Sequence, residues 1–255
     1  MLKILSIGNS FSEDSTSYLY ALAKNEGKDL KVVNLYIGGC SLERHWENVL
    51  ENKADYDYQL NGKSMGKLVS IKETLLEDKW DIITLQQCSG YSGLIETYHP
   101  YIIELSKYVK EYAPGAKQLI HQTWAYELDS NHEHFSFYEN SQEKMYHALI
   151  ECYDTVAKEL SLGIIPFGEV IQALRTLPVF DYKNGGKSLC RDGFHMHYVY
   201  GRYALAATWY ESVLKEDILT TSYIPPVIDG VTINAEEVQI IKRCVHNIIA
   251  SKSNQ

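Results

Sequence analysis

The sequence contains no apolar run close to the roughly 18 residues that a membrane-spanning helix needs. The opening segment "MLKILSIG" is too short for the apolar core of a signal peptide, and no small-residue cleavage site follows it. Basic residues are also scarce, with 24 Lys and Arg against 33 Asp and Glu and a formal net charge of −9. These absences predict a cytoplasmic protein that has neither a membrane nor a nucleic acid as its partner.

The sequence also lacks paired cysteines. No C-x-x-C motif occurs, and the odd number of widely spaced cysteines does not suit a disulfide framework. Free thiols in a reducing compartment are the better interpretation of this pattern. The residues concerned are Cys40, Cys88, Cys152, Cys190 and Cys244.

What is present is a regular alternation of short apolar runs with segments of helical periodicity. Such an alternation is typical of a doubly wound, parallel sheet. We therefore predict one domain over residues 1–255, a three-layer α/β/α sandwich with a flavodoxin-like parallel sheet of about five strands. The predicted strands are Leu2–Gly8, Leu30–Gly39, Trp80–Gln87, Ala116–Trp124 and Gly163–Gly168, and the predicted helices include Ser17–Gly27, Ser64–Lys79, His99–Gly115 and Tyr138–Leu160.

A few segments depart from this alternation. The Asn61-Gly62 pair predicts a small β-hairpin near residues 54–66. Ala125–Asn140 is a polar, aromatic loop that is longer than a simple connection requires. Thr220–Ile233 reads as an irregular arm before a last helix near residues 235–251.

The segment "SIGNSFSEDS" places Ser10 at the carboxyl end of the first predicted strand. A serine hydroxyl becomes a nucleophile when a neighbouring base takes its proton, and Gly8 allows close approach at the turn. The alternative is that Ser10 only caps the following helix. Ser12, Asp14 and Ser15 are the better candidates for that cap.

The segment "CRDGFHMH" supplies a candidate base near the start of a later predicted helix. Asp192 and His195 are three residues apart, so a turn brings their side chains together. His195 is then able to accept the serine proton while Asp192 orients the imidazole. His197 competes for the role of base, and Asp192 is alternatively an N-cap.

Two further strand ends offer hydrogen-bond donors for a developing oxyanion. The segment "GGCS" after the second strand offers a backbone N–H, and the glycine pair has the alternative role of a simple turn. The segment "LQQCSGYSG" after the third strand offers side-chain amides.

Taken in order, these segments resemble the SGNH (GDSL-type) hydrolases. That family has a serine block after the first strand, a glycine block after the second, an amide-bearing block after the third and a closing D-x-x-H. Here the blocks read Gly8-Asn9-Ser10, Gly39, Gln87 and Asp192-Gly-Phe-His195. Two positions depart from the family pattern, because Asn9 replaces the usual aspartate and the third block has no G-x-N-D.

The resemblance implies a serine esterase that needs no cofactor and no metal. It implies a triad of Ser10, His195 and Asp192, and an oxyanion hole formed by the N–H groups of Ser10 and Gly39 with the amide of Gln87. In place of Gln87, the third donor is alternatively Gln86 or Ser89.

The expected substrate is a small molecule or oligosaccharide that carries a short acyl ester, such as an acetylated carbohydrate. Trp124 and Tyr126, with Phe135, are candidates for a sugar-stacking wall, although aromatic residues that leave a strand are usually core. His134 is a further candidate for contact with the substrate.

Two other hypotheses belong to different classes of function. The first is a non-catalytic glycan-binding domain on the same fold. The second is a metal-dependent hydrolase that uses His132, His134 and His197. His132 and His134 lie on a polar loop, where histidines are more often solvated than bound to a metal.

Overall fold

A seven-stranded sheet forms the centre of the protein, in the order β4-β3-β2-β1-β5-β6-β7. The computed structural model describes residues 1–253. Five of the strands, β2, β1, β5, β6 and β7, run parallel, while β3 and β4 form an antiparallel hairpin that joins the edge at β2. The bounds are β1 Leu2–Gly8, β2 Leu30–Tyr36, β3 Tyr56–Leu60, β4 Lys63–Val69, β5 Ile82–Leu85, β6 Lys117–His121 and β7 Gly163–Ile165.

Helices cover both faces of this sheet, which confirms the predicted α/β/α sandwich. One group, α1, α2, α7, α8 and α9, packs together, and α3, α4 and α5 form a second group. The bounds are α1 Ser10–Thr16, α2 Leu19–Asn25, α3 Leu42–Leu50, α4 Ile71–Glu77, α5 Tyr101–Tyr112, α6 Gln142–Leu160, α7 Phe167–Arg175, α8 Tyr200–Ser212 and α9 Ala235–Ser253. No helix within residues 1–253 is long and apolar enough to cross a bilayer.

The register of the parallel strands brings their carboxyl ends to one edge. Ile7 of β1 pairs with Leu35 of β2 on one side and with Leu85 of β5 on the other. Leu85 in turn pairs with Ile120 of β6. The loops that follow β1, β2 and β5 therefore begin side by side, as a ligand site in a parallel sheet requires.

Several sequence predictions were wrong in detail. The helix predicted over Ser64–Lys79 is a strand, β4, followed by the short helix α4. The apolar residues Met65 and Leu68 lie three positions apart, a spacing compatible with a helical face, but they are exposed on the edge hairpin at 52% and 64%. Helices α3 and α7 were not predicted. The helix predicted over Ser17–Gly27 is present as α2, and a separate helix that was not predicted, α1, precedes it.

Two histidines are buried without charge in this core. His45 and His121 are both 0% exposed. Burial lowers the pKa of each imidazole to about 3, and the positive charge of Arg44 adds to the effect at His45. In the unfolded chain both titrate near the ordinary value of about 6.5. Between pH 6.5 and 3 the unfolded state therefore binds more protons, so stability is full above about pH 6.5 and falls as the pH decreases.

We expect each of these histidines to cost about 2 kcal/mol of unfolding free energy between pH 8 and pH 5. Urea denaturation across this range measures the loss. His121→Gln removes one titrating group, so the pH dependence becomes shallower by that amount, whereas His147→Gln, at an exposed position, leaves it unchanged. An identical pH slope in His121→Gln and the unmodified protein would contradict the prediction.

Candidate active site

Ser10 is the first residue of α1 and stands partly exposed at the carboxyl end of β1. The N-cap is Asn9, whose Oδ1 accepts the N–H of Phe11 at 3.0 Å. The Ser10 hydroxyl is therefore not used as a cap, and it makes no hydrogen bond within residues 1–253. Ser12, at the third helical position, completes the capping box, because its Oγ accepts the N–H of Asn9 at 3.0 Å, whereas Asp14 and Ser15 lie further inside the helix and do not cap it.

Asn9 connects three strand-end loops. Its Nδ2 donates to the carbonyl of Cys40 after β2 at 3.1 Å, and its Oδ1 accepts from Nε2 of Gln86 after β5 at 2.7 Å. A carboxylate cannot donate to a carbonyl, so the asparagine is required for the contact with Cys40. Gly8 is fixed by packing, since a Cβ there would lie 2.3 Å from Oγ of Ser12.

His195 and Asp192 are hydrogen-bonded, with Nδ1 of the imidazole 2.7 Å from Oδ2 of the carboxylate. The other oxygen, Oδ1, accepts the N–H groups of Phe194 and His195 at 3.2 and 2.8 Å. Burial raises the pKa of the Asp192 carboxyl, but these hydrogen bonds outweigh it, and the pKa is lowered. The carboxylate therefore holds Nδ1–H, and Nε2 presents its lone pair with no partner within residues 1–253.

The Asp192–His195 pair lies in a loop, not at the start of a helix, because α8 begins only at Tyr200. Asp192 is therefore not a helix N-cap. The loop is attached to the segment after β6, since Nε1 of Trp124 donates to the carbonyl of Phe194 at 2.8 Å and the N–H of Glu127 donates to that of Gly193 at 2.7 Å. Gly193 has φ +88°, and an added Cβ would lie 2.9 Å from Cα of Ser130.

The serine segment and this loop are in contact. The ring of Phe11, which follows Ser10, lies 6.0 Å from the ring of His195 between centroids. Phe11 also stacks on Trp124 at 4.1 Å. Ser10 Oγ and His195 Nε2 do not bond to each other in this structure, an arrangement that is common in enzymes without substrate.

His197, the competing base, has a different environment. Its Nδ1 accepts the N–H of Val199 at 3.1 Å, and its ring stacks on Tyr200. Burial lowers the pKa of its imidazole, and the charges of Arg191 and Lys187 lower it further. Within residues 1–253 no carboxylate is hydrogen-bonded to this ring, so His195 is the better placed base.

The side-chain donors expected for an oxyanion hole are all used elsewhere. Nε2 of Gln87 donates to the carbonyl and the hydroxyl of Thr97 at 2.9 and 3.1 Å, so the role assigned to Gln87 is not supported by its geometry. Gln86 donates to Asn9, and the hydroxyl of Ser89 bonds that of Tyr126. Within residues 1–253 the N–H groups of Ser10 and Gly39 have no partner, the former because it is at the start of a helix.

The residues predicted to form a sugar-stacking wall are buried. Trp124, Tyr126 and Phe135 are each 0% exposed, so they support the loops and offer no face to a substrate. His134 is partly exposed and stacks against Tyr91 at 4.9 Å and Phe137 at 5.0 Å. Tyr91 and the half-exposed Phe137 were missed, although Tyr91 lies in the segment "LQQCSGYSG".

The structure does not bring together the histidines of the metal hypothesis. His132 and His134 are neighbours at 5.1 Å between ring centroids, whereas His197 stacks on Tyr200 instead. Among the described residues, the only group of three or more side chains with converging ligand atoms is Glu211, Asp217 and His246, on different elements from the site.

Comparison with solved structures shows that the chain has the SGNH hydrolase fold. A candidate SGNH hydrolase from Slackia heliotrinireducens aligns with 82% of this chain and 97% of its own at 19% identity and a TM-score of 0.55. An acetylxylan esterase from Geobacillus stearothermophilus aligns with 82% of this chain and 93% of its own at 13% identity and a TM-score of 0.54.

The chain belongs to the family described as Domain of unknown function (DUF4886), whose model matches residues 3–248. A DUF4886 protein from Bacteroides uniformis is 34% identical, with 98% of this chain and 95% of that chain covered and a TM-score of 0.89. A search of curated proteins finds no match.

Proposed function

We propose that this protein is a serine esterase that removes short acyl groups from a carbohydrate or a similar small alcohol. The observation that carries the proposal is the Asp192–His195 pair, whose Nε2 is free, next to the helix that begins with the unbonded hydroxyl of Ser10. An oriented imidazole and an uncommitted serine are what nucleophilic acyl transfer needs.

In this mechanism Nε2 of His195 takes the proton from Ser10 as Oγ bonds to the ester carbonyl carbon. The carbonyl electron pair moves to oxygen, and the N–H groups of Ser10 and Gly39 stabilise the oxyanion. Its collapse breaks the ester bond, and the departing alkoxide takes the proton from His195. Water then repeats the sequence at the acyl-enzyme, which releases the carboxylic acid and restores Ser10.

Two features of the neighbouring surface support a short acyl group and a polar alcohol. A small cavity of about 220 Å³ lies between the loops after β2 and β5, at the same edge of the sheet as Ser10, and Ser41, Tyr91 and Thr97 are among the residues that line it, whereas Ser10 and His195 are not. The larger apolar groove, about 630 Å³, lies between α7 and α9 and contains none of the site residues. The ring of Tyr91, which lines the first cavity, and the ring of Phe137, which stacks on Tyr91, suit the apolar face of a sugar.

The proposal predicts a steep preference for short acyl chains. We expect p-nitrophenyl acetate to be hydrolysed with a kcat/KM at least about tenfold above that of the octanoate and dodecanoate esters. The reason is that a small cavity accommodates an acetyl group but not a long acyl chain. Release of p-nitrophenolate measures the series, and acetate release from acetylated xylooligosaccharides tests the sugar.

A preference for the longest chains would contradict the assignment of a short acyl group. Sugar binding without any ester hydrolysis would favour the glycan-binding hypothesis over the esterase.

A further inference from the structure

Asp14, inside α1, is a fully buried carboxylate with an unusual number of partners. It is 0% exposed. Nη1 of Arg191 donates to both of its oxygens at 2.9 and 3.0 Å, and Nε of Arg202 donates to Oδ1 at 2.8 Å. The N–H of Met196 donates to Oδ2 at 2.8 Å. The ring of Tyr198 covers both guanidinium groups, at 4.5 and 4.7 Å from its centroid.

These partners belong to the two halves of the candidate site. Asp14 is four residues after Ser10 in the same helix, so both side chains lie on one face, one turn apart. Met196 directly follows His195. Asp14 is therefore linked to Ser10 by one turn of α1, and to His195 by its hydrogen bond to the N–H of the next residue.

Arg191, one of the partners of Asp14, also fixes the loop that carries His195 from within. The N–H of Arg191 donates to the carbonyl of His195 at 2.9 Å, and Nη1 of Arg191 donates to the carbonyl of Met196. Arg202 belongs to α8, so the contacts of Asp14 join α1, the loop and α8. A buried carboxylate with charge-assisted hydrogen bonds on both oxygens holds its neighbours to a narrow range of positions.

We propose that Asp14 is a positioning residue that sets the approach of His195 to Ser10, an inference that rests on the proposed esterase function. The sequence offered Asp14 only as a helix cap, and nothing in its chemistry touches a substrate. Its effect on catalysis comes through the placement of the imidazole, where an error of about 1 Å costs on the order of 10²-fold in rate.

Asp14→Asn and Asp14→Ala test the proposal. The amide keeps an acceptor for the N–H of Met196 but loses the charge that binds both arginines, and the alanine loses both. We expect kcat for p-nitrophenyl acetate to fall about 10²-fold in Asp14→Asn and further in Asp14→Ala, with KM within about twofold of the unmodified protein. Deuterium exchange in residues 190–197 is expected to accelerate at least about tenfold in the same order.

Asp78→Asn is the matched control at the opposite end of β1. Its carboxylate also accepts from two cations, Lys3 and Lys31, and from the backbone N–H of Lys79. This substitution is expected to lower Tm while kcat and the exchange of residues 190–197 stay unchanged. Should Asp14→Ala fail to fold, Arg202→Gln removes the α8 contact alone and is expected to lower kcat about tenfold.

Unchanged kcat and unchanged exchange at residues 190–197 in folded Asp14→Asn, with a loss of Tm like that of Asp78→Asn, would overturn the proposal. The exchange measurement does not depend on turnover. If the unmodified protein hydrolyses no ester, the proposed function is wrong, and accelerated exchange in Asp14→Asn still supports the role of Asp14 in positioning His195.

Discussion

Ser10→Ala is expected to lower kcat for p-nitrophenyl acetate by about 10⁴-fold or more, because Ser10 is the nucleophile of the proposed mechanism and the neighbouring serines of α1 do not replace it. Ser12 and Ser15, on the same helix, use their hydroxyls inside the fold, where Ser12 donates to Asn34 at 2.6 Å and Ser15 bonds His121 at 2.8 Å. Stability is expected to stay within about 0.5 kcal/mol, since the Ser10 hydroxyl makes no hydrogen bond within residues 1–253.

Ser17→Ala is the control for this substitution. Its hydroxyl donates to the carbonyl of Glu13 at 2.7 Å, on the same segment but away from the strand end, so activity is expected to be retained. Phenolate release and thermal unfolding are measured on both variants. A Ser10→Ala variant that keeps more than about a tenth of the activity would show that another group attacks the ester.

His195→Ala has the second largest expected effect, a loss of kcat of about 10³-fold or more, because the serine then has no base to take its proton. His197→Ala provides an internal comparison two residues further along the chain. In the part of the chain that the structure describes, that imidazole has no carboxylate partner and stacks on Tyr200, so its loss is expected to change kcat by less than about fivefold.

The pH profile of kcat tests the separate roles of His195 as the base and of Asp192 as the group that orients it. The pKa of the Asp192 carboxyl is lowered by its hydrogen bonds to His195 and Phe194, so this group stays ionised in mildly acidic solution. Protonation of Asp192 should therefore not limit kcat in mildly acidic solution, and Asp192→Asn should lower kcat because the imidazole of His195 then loses the carboxylate that orients it. Equal losses in His195→Ala and His197→Ala would contradict the assignment of the base.

The positions of the candidate site were readable in the sequence because of a general property of parallel sheets. Apolar runs end at one edge, so the polar segments that follow them converge, whatever their separation along the chain. Ser10 was placed in this way, whereas Asp192 and His195 were chosen because they are three residues apart near the start of a predicted helix. Asn9 was noticed only as a departure from the family pattern, and its three contacts explain it after the fact.

The roles that were assigned wrongly depend on tertiary neighbours. Gln87 is a donor by type, but Thr97 is close enough to use its amide hydrogens. Trp124 is an aromatic residue after a strand, but Phe11 and the loop of His195 cover it. Asp14 was read as a cap because nothing local indicates Arg191 and Arg202, which lie more than 170 residues away in the chain.

At the edge hairpin, the secondary structure also depends on neighbours that are distant in the sequence. Met65 and Leu68 are spaced as on a helix, but they lie on an edge strand with exposed side chains. The Asn61-Gly62 turn indicated the hairpin correctly, yet the second strand runs to Val69, beyond the predicted end near residue 66. Pairing with β3 decided the conformation there, and pairing is not visible in local periodicity.

The most direct test is the reaction of the native protein with a fluorophosphonate, followed by intact mass and peptide mapping. An activated serine displaces fluoride and forms a stable phosphonate ester, whereas an ordinary serine hydroxyl does not react. We expect one adduct per chain, located on Ser10, and none in Ser10→Ala or His195→Ala. No adduct, or one on another residue, would contradict the proposal that Ser10 is the activated nucleophile.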